Sequence, residues 1–452
     1  MRLDPTKIFE DYTNNFLDKS SAIEQLSSII ENTDNISERI ESMDVLEKIA
    51  DQNDNAFNLF ENLLISDSSD KVRIAAAHAL QEIFMDRAFK PMKWALIHEQ
   101  SPSCLKVIYN TLIHIINKMV AKNDLATKTF LFEEIKQISN KNFMVDFQIA
   151  CSIKSFDDFT IDELLEIMIN YLTILFLEKT YWRLKYEVQE CRITELDFIF
   201  KGLTSLPEAI KHLTNLKKLV FRYNQILELP DWIGSLKALE VLNLNVNNLK
   251  QLPPTIGSLS QLNYLSLWKN ELDTIPRSIG SLGSLEYLNL RINNLKFLPD
   301  SVGSLTKLRE LNLHDNKLEE LPQSIGSLTL LEKLNLSWNN LERIPESIGN
   351  MDSLQILDLE RNELQLLPQS IGALQSLKIL NLSDNKLENL PDTIGSLHSL
   401  NYLNISRNRL LEVPGSLLSL KSLKELYVGD NKFNEISDVL EILENKGIEI
   451  YY

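Results

Sequence analysis

From about residue 190 onward the chain repeats itself every 23 residues, so that Leu219, Leu242, Leu265, Leu288 and Leu311, continuing to Leu426, fall one period apart. Such a fixed interval implies a stack of like units, each burying its apolar face against its neighbours. Around each leucine the pattern is L-x-x-L-x-L-x-x-N-x-L, followed by a hydrophobic residue, proline, two variable residues, isoleucine and glycine; residues 354–373, LQILDLERNELQLLPQSIGA, show it without interruption. Leu357 and Leu359 alternate with polar neighbours, the signature of a short strand with leucines inward and the intervening residues outward. Successive strands then stack in parallel. Asparagine recurs from Asn224 to Asn431 just after each strand, where its amide can bond backbone groups of its own and the adjacent turn. That makes the asparagines a structural row with no catalytic or metal-binding role. Prolines from Pro230 to Pro414 suit the first position of a short helical turn on the far side, and glycines from Gly234 to Gly395 suit a left-handed exit from it.

These motifs resemble the leucine-rich-repeat family, in particular the 23-residue LPxxIGxL class of intracellular Ras-group scaffolds. The resemblance spans roughly residues 190–442, eleven units. It implies an α/β solenoid, a horseshoe with parallel strands on its concave face. The ends depart from the pattern as caps would: Lys201 stands where asparagine is expected, Leu418 replaces a glycine, Ser437 replaces a proline, and IEIYY closes the chain as a strand over the last sheet edge.

Ahead of the solenoid the sequence changes character. All glycines lie at Gly202 or later and most prolines at Pro207 or later, so residues 1–178 should be all-helical. Within them, segments 38–49, 72–83 and 105–116 align at intervals of 34 and 33 residues, as a helical-hairpin repeat would. The middle one, DKVRIAAAHALQEIF, resembles the HEAT family in Asp70, Val72, Arg73, Ala76, Ala77, Ala79 and Leu80. An irregular helical bundle is the alternative. The expected organisation is a HEAT-like helical domain over 1–178, a junction and capping repeat over 179–212, the solenoid over 213–442 and a cap strand over 443–452. Tyr181, Trp182 and Tyr186 are expected to seal the junction.

A formal charge of −17 repels phosphate backbones and anionic headgroups, so neither nucleic acid nor a membrane surface is an expected partner. The longest dense apolar run, residues 171–177, is too short to span a bilayer. Three cysteines (Cys104, Cys151 and Cys191) with no CxxC pair fit a reducing compartment, and a cytoplasmic monomer is expected. Three Asn-x-Ser matches, at Asn335, Asn381 and Asn404, read as repeat residues without sugar.

Function should then reside in the outward columns of the strand face. Trp, Tyr and Arg dominate protein-binding hot spots, and they concentrate mid-solenoid as Tyr264, Trp268, Tyr287, Arg291, Trp338 and Arg361, bordered by His314 and Glu360. The bland alternative is that the aromatics stack on one another and only stabilise the sheet. Eleven strands give a face roughly 50 Å long, the scale of a folded protein. The family resemblance makes a small Ras-type GTPase the first candidate partner. No phosphate loop, dinucleotide fingerprint, zinc helix, EF-hand or nucleophile elbow occurs, and no cofactor or metal is expected. A non-enzymatic scaffold is the expectation; a ubiquitin-ligase-type effector with a nucleophilic cysteine, or a self-associating architectural protein, are the alternatives.

Overall fold

The computed structural model describes residues 4–121, 124–433 and 438–452. It divides into two compact units, one of residues 1–184 with 188–193, the other of 185–187 with 194–452.

The described residues up to Thr180 are all-helical: α1 (Pro5–Thr13), α2 (Lys19–Asn32), α3 (Ile36–Ala50), α4 (Asp54–Ser66), α5 (Asp70–Ile83), α6 (Met85–His98), α7 (Pro102–Val120), α8 (Leu125–Lys136), α9 (Lys141–Ile153) and α10 (Ile161–Thr180). Capping is explicit in the sequence. Asp18, Asn53 and Asp124 accept backbone N–H bonds at the starts of α2, α4 and α8, and Thr160 with Glu163 closes a capping box on α10. The three aligned segments fall one each on α3, α5 and α7, and α5 packs against both of the others. In α5 the small residues Ala76, Ala77 and Ala79 are buried, which lets helices approach closely. Arg39 and Arg73, 34 residues apart, do equivalent work. Arg39 pairs with Asp67, and Arg73 reaches Glu99 with two bonds of 2.6 and 2.9 Å. Each ties its helix to an inter-helix turn. Burial opposes ionisation of Glu99, but Arg73 and the Ser101 and Gln100 N–H groups outweigh it and hold the carboxyl at about 2.

After the helices comes a 13-stranded sheet whose spatial order follows the sequence. It opens with β1 (Lys185–Gln189) and β2 (Arg192–Asp197), joined by Glu190 and Cys191, both at positive φ, the geometry of a two-residue hairpin turn. Ten three-residue strands follow, one per period: β3 (Lys218–Val220), β4 (Val241–Asn243), β5 (Tyr264–Ser266), β6 (Tyr287–Asn289), β7 (Glu310–Asn312), β8 (Lys333–Asn335), β9 (Ile356–Asp358), β10 (Ile379–Asn381), β11 (Tyr402–Asn404) and β12 (Glu425–Tyr427). All pair in parallel with a register of one period, as in Leu311↔Leu334. The inward leucines, such as Leu311, Leu313 and Leu318, are fully buried and form one continuous core.

The asparagine row performs the expected task. Asn224 to Asn408 are buried. Asn316, for example, donates to the Leu313 carbonyl of its own coil and the Leu290 carbonyl of the previous one, while its oxygen accepts from Leu295 N–H. In the first coil, where Lys201 replaces asparagine, the Lys201 and Leu203 N–H groups are met by Asn224 from the next coil.

Two expectations about the opposite side are corrected. The prolines do not occupy the first helical position: Pro230, Pro322 and their equivalents are N-caps in extended conformation, one residue before each five-residue 3-10 turn. The glycines are not left-handed exits either. Positive φ among glycines occurs only at Gly202 and Gly447. At the periodic glycines from Gly234 to Gly395, Gly283 not being one of them, the requirement is space, because a Cβ would lie 2.1–2.5 Å from the carbonyl oxygen of a Ser or Thr in the next coil. Coils on this side are closer together than any side chain allows.

At the C-terminal end β13 (Glu449–Tyr451) pairs in parallel with β12, covering that edge as expected, while an additional helix, α11 (Asp438–Asn445), buries Leu440 and Leu443. Ser437 lies outside the described residues.

Candidate functional site: the strand face of the solenoid

The left-handed conformation absent from the periodic glycines is found on the strand side. Tyr223, Val246, Lys269, Ile292, Asp315, Trp338, Arg361, Asp384, Arg407 and Asp430 have φ between 52° and 58°. The chain must turn sharply there to swing the following asparagine inward. Its N–H still reaches the next coil, as in Trp338 N–H to the Glu360 carbonyl at 2.8 Å. Three aspartates in this column are the sequence hint that was overlooked, since Asp tolerates this region while β-branched Val246 and Ile292 are strained in it.

The strand face also holds a second polar ladder. The oxygens of Asn243, Asn289, Asn312, Asn335, Asn381 and Asn404 each accept the N–H two residues on. Asp358 substitutes in this role, accepting from Glu360 N–H at 3.1 Å. Burial pushes its carboxyl above the ordinary range. These side chains therefore finish the strands, and only part of the face is free for contact. Asn245, Ser337 and Ser383, at the repeat position that Trp268, Arg291, His314 and Glu360 occupy in other coils, are buried; Asn245 accepts from Ser266 Oγ and Trp268 N–H.

Of the eight candidate contact residues, Arg291, Trp338 and Arg361 are exposed and the other five half-buried. They form two groups. Tyr264 and Tyr287 stack with ring centroids 4.4 Å apart and planes 1° apart; burial and the Tyr264 phenol push Tyr287 up to about 12. In the other group the Arg361 guanidinium lies 4.0 Å over the Trp338 ring and 3.0 Å from Asp384. His314 sits beside Trp338 at 6.2 Å, with Nδ1 2.7 Å from Ser337 Oγ. Burial, then Arg291, lowers the His314 pKa. Glu360 accepts from Asn381 and approaches Arg361. Mutual stacking thus accounts for the two tyrosines, whereas Trp338 remains 44% exposed. Tyr402, in the same strand position as Tyr264 and Tyr287, begins a further row that continues through Tyr427 and Tyr451, with centroid spacings of 5.3 and 4.3 Å.

The fold and its asparagine ladder define a parallel-sheet solenoid with one short strand and one 3-10 turn per coil. Family profiles agree. The one described as leucine-rich repeat region matches residues 187–285 and 254–338, and two further leucine-rich-repeat profiles match 352–410, 375–433 and 330–351. The chain is a leucine-rich-repeat protein with an N-terminal helical region. A leucine-rich-repeat protein of Leptospira interrogans is similar, with 36% identity, a TM-score of 0.52, and 56% of this chain matched to 64% of that one. The functional domain of InlJ from Listeria monocytogenes, which includes a cysteine ladder, has 25% identity and a TM-score of 0.49, with 57% of this chain matched to 53% of that one. The match thus spans less than two thirds of either structure. No curated protein matches.

Among the described residues no helix is long and apolar enough to cross a membrane, and no group of three or more His, Cys, Asp or Glu side chains could hold a metal. All three cysteines are free thiols. Burial, with Glu99 beside it, pushes Cys104 up to about 12, and burial with Asp146 does the same for Cys191. Cys151 is exposed, and its pKa is also raised by partial burial.

Proposed function

We propose that the protein is a non-enzymatic scaffold that grips a folded protein partner on the strand face of its solenoid. The observation that carries this reading is the exposed Trp338–Arg361 pair, flanked by His314 and Asp384, on the strand face of the sheet. An aromatic ring and a guanidinium presented together are the groups that supply most binding energy at protein interfaces. The raised thiol pKa values leave little thiolate at neutral pH, which weighs against cysteine-based ligase chemistry. Free thiols favour a reducing, cytoplasmic setting. Through its resemblance to Ras-group scaffolds a small Ras-type GTPase is the first partner to try, and the HEAT-like hairpins of the helical unit offer a second platform.

The test is affinity capture with the intact protein against a Trp268→Ala/Arg291→Ala/Trp338→Ala variant of unchanged circular dichroism, followed by direct titration of any captured protein. A partner whose binding collapses in the variant supports the reading; partners bound equally by both place the interface elsewhere.

A further inference from the structure

Charge along the strand face is distributed unevenly. Its outward columns comprise the first and third residues of each strand and the two residues that precede the buried asparagine. In the coils of β3 to β6 these columns hold four cations, Lys218, Arg222, Lys269 and Arg291, and no carboxylate. In the coils of β7 to β12 they hold seven carboxylates against Lys333, Arg361 and Arg407. Glu240 and Glu286 stand one residue before their strands, outside these columns.

Pairing sharpens the contrast. Lys333, Arg361 and Arg407 are each neutralised by an acid on an adjacent coil, Glu310, Asp384 and Asp430, at 3.3, 3.0 and 3.6 Å. Lys218 is paired with Glu195 at 2.8 Å. Arg222, Lys269 and Arg291 enter no ion pair among the described residues, and Lys269 and Arg291 are exposed. From β3 to β6 is three inter-strand steps, about 15 Å, so three unneutralised cations share a short stretch of sheet with the Tyr264–Tyr287 stack. In a chain of net charge −17 this is a local reversal of sign.

Resting on the scaffold reading above, we infer that the β3–β6 half of the face receives a carboxylate-rich segment of the protein partner. Guanidinium and ammonium groups beside tyrosines suit carboxylates carried on a peptide backbone, by charge-assisted hydrogen bonds and ring contact. A continuous polyphosphate fits worse, because its unbroken charge runs on over the adjoining acidic half, which repels it. The acidic half fixes orientation, since a partner docked the wrong way round sets like charges together.

The experiment uses the full chain and a short fluorescein-labelled peptide of alternating Glu and Ala, read by anisotropy at low and physiological salt. Comparators are the Gln analogue and a single-stranded oligonucleotide of matched charge. Saturable, salt-sensitive binding of the Glu peptide is expected, weakened about tenfold or more by Lys269→Glu/Arg291→Glu, weakened less by Lys269→Gln/Arg291→Gln, and unchanged by Arg407→Glu, with all variants checked by circular dichroism. No binding of the Glu peptide, equal binding by the charge-reversed variant, or tighter binding of the oligonucleotide would each overturn the inference. If the peptide fails while a protein partner is still lost on Trp338→Ala, the scaffold reading stands and only its acidic-partner form falls.

Discussion

Replacing Asn316 with alanine tests the ladder that welds the coils. Three backbone groups lose a close partner, the carbonyls of Leu290 and Leu313, at 2.9 and 3.0 Å, and Leu295 N–H, at 3.1 Å, and the His314 carbonyl loses a longer contact of 3.5 Å. The carbonyls are not stranded, because Leu290 also receives Asn293 and Leu313 also receives Asn339. Leu295 N–H has no alternative acceptor among the described bonds. One orphaned buried donor costs roughly 1–3 kcal/mol and each of the two lost carbonyl bonds about 0.5–1.5, so Asn316→Ala should destabilise the solenoid by about 2–6 kcal/mol. Lys317→Ala, at an exposed neighbour whose backbone bond is kept, should stay within about 0.5. Urea denaturation of the full chain followed by tryptophan fluorescence measures both. Indistinguishable midpoints would refute the view that the side-chain ladder, rather than strand pairing and leucine burial, holds adjacent coils together.

Other substitutions probe separate features by the same assay. Gly326→Ala places a Cβ 2.1 Å from the Ser347 carbonyl oxygen and should cost about 1–3 kcal/mol, while Gly283→Ala, with nothing within 4 Å, should be neutral or stabilising by up to about 1; equal effects would restore a purely conformational role for the periodic glycines. Ile292→Asn relieves a β-branched residue at φ 55° and should raise the midpoint by up to about 1–2 kcal/mol, a drop being the contrary result. Asp358 has a folded-state pKa raised by burial, so its contribution is most favourable below the unfolded value of about 3.9 and is lost as pH rises. Asp358→Asn should therefore stabilise at pH 7, with the gain disappearing toward pH 4, and a pH-independent difference would count against that cause.

The solenoid was legible because its code is local and repeated: leucine spacing gave the strands and their register, and the asparagine interval located the ladder. The glycines show where such reading stops. A glycine after a turn suggests left-handed backbone when viewed alone, but the need at Gly326 is set by Ser347, a neighbour across the stack. The left-handed column was hidden because most of its residues, Trp338 and Arg361 among them, are not types that announce positive φ. For the same reason the outward columns were only partly right: Asn245, Ser337 and Ser383 follow the alternation, yet hydrogen bonds to their neighbours bury them. Helix α11 lies beyond the last full period, where the repeat no longer guides the eye.

The asparagine ladder has a direction. Each amide reaches back to the coil before it, so a coil is completed by its successor and not by itself. The Ile405 carbonyl is served by both Asn408 and Asn431, whereas Val428, one coil later, receives among the described residues the Asn431 amide alone. During synthesis each turn of the solenoid would stay unfinished until roughly one further period had emerged, and the structure would ratchet forward from its first coil. Shortening the chain from its far end forfeits one set of bonds at a time, while a residue inserted mid-stack interrupts the relay for every coil that depends on that step.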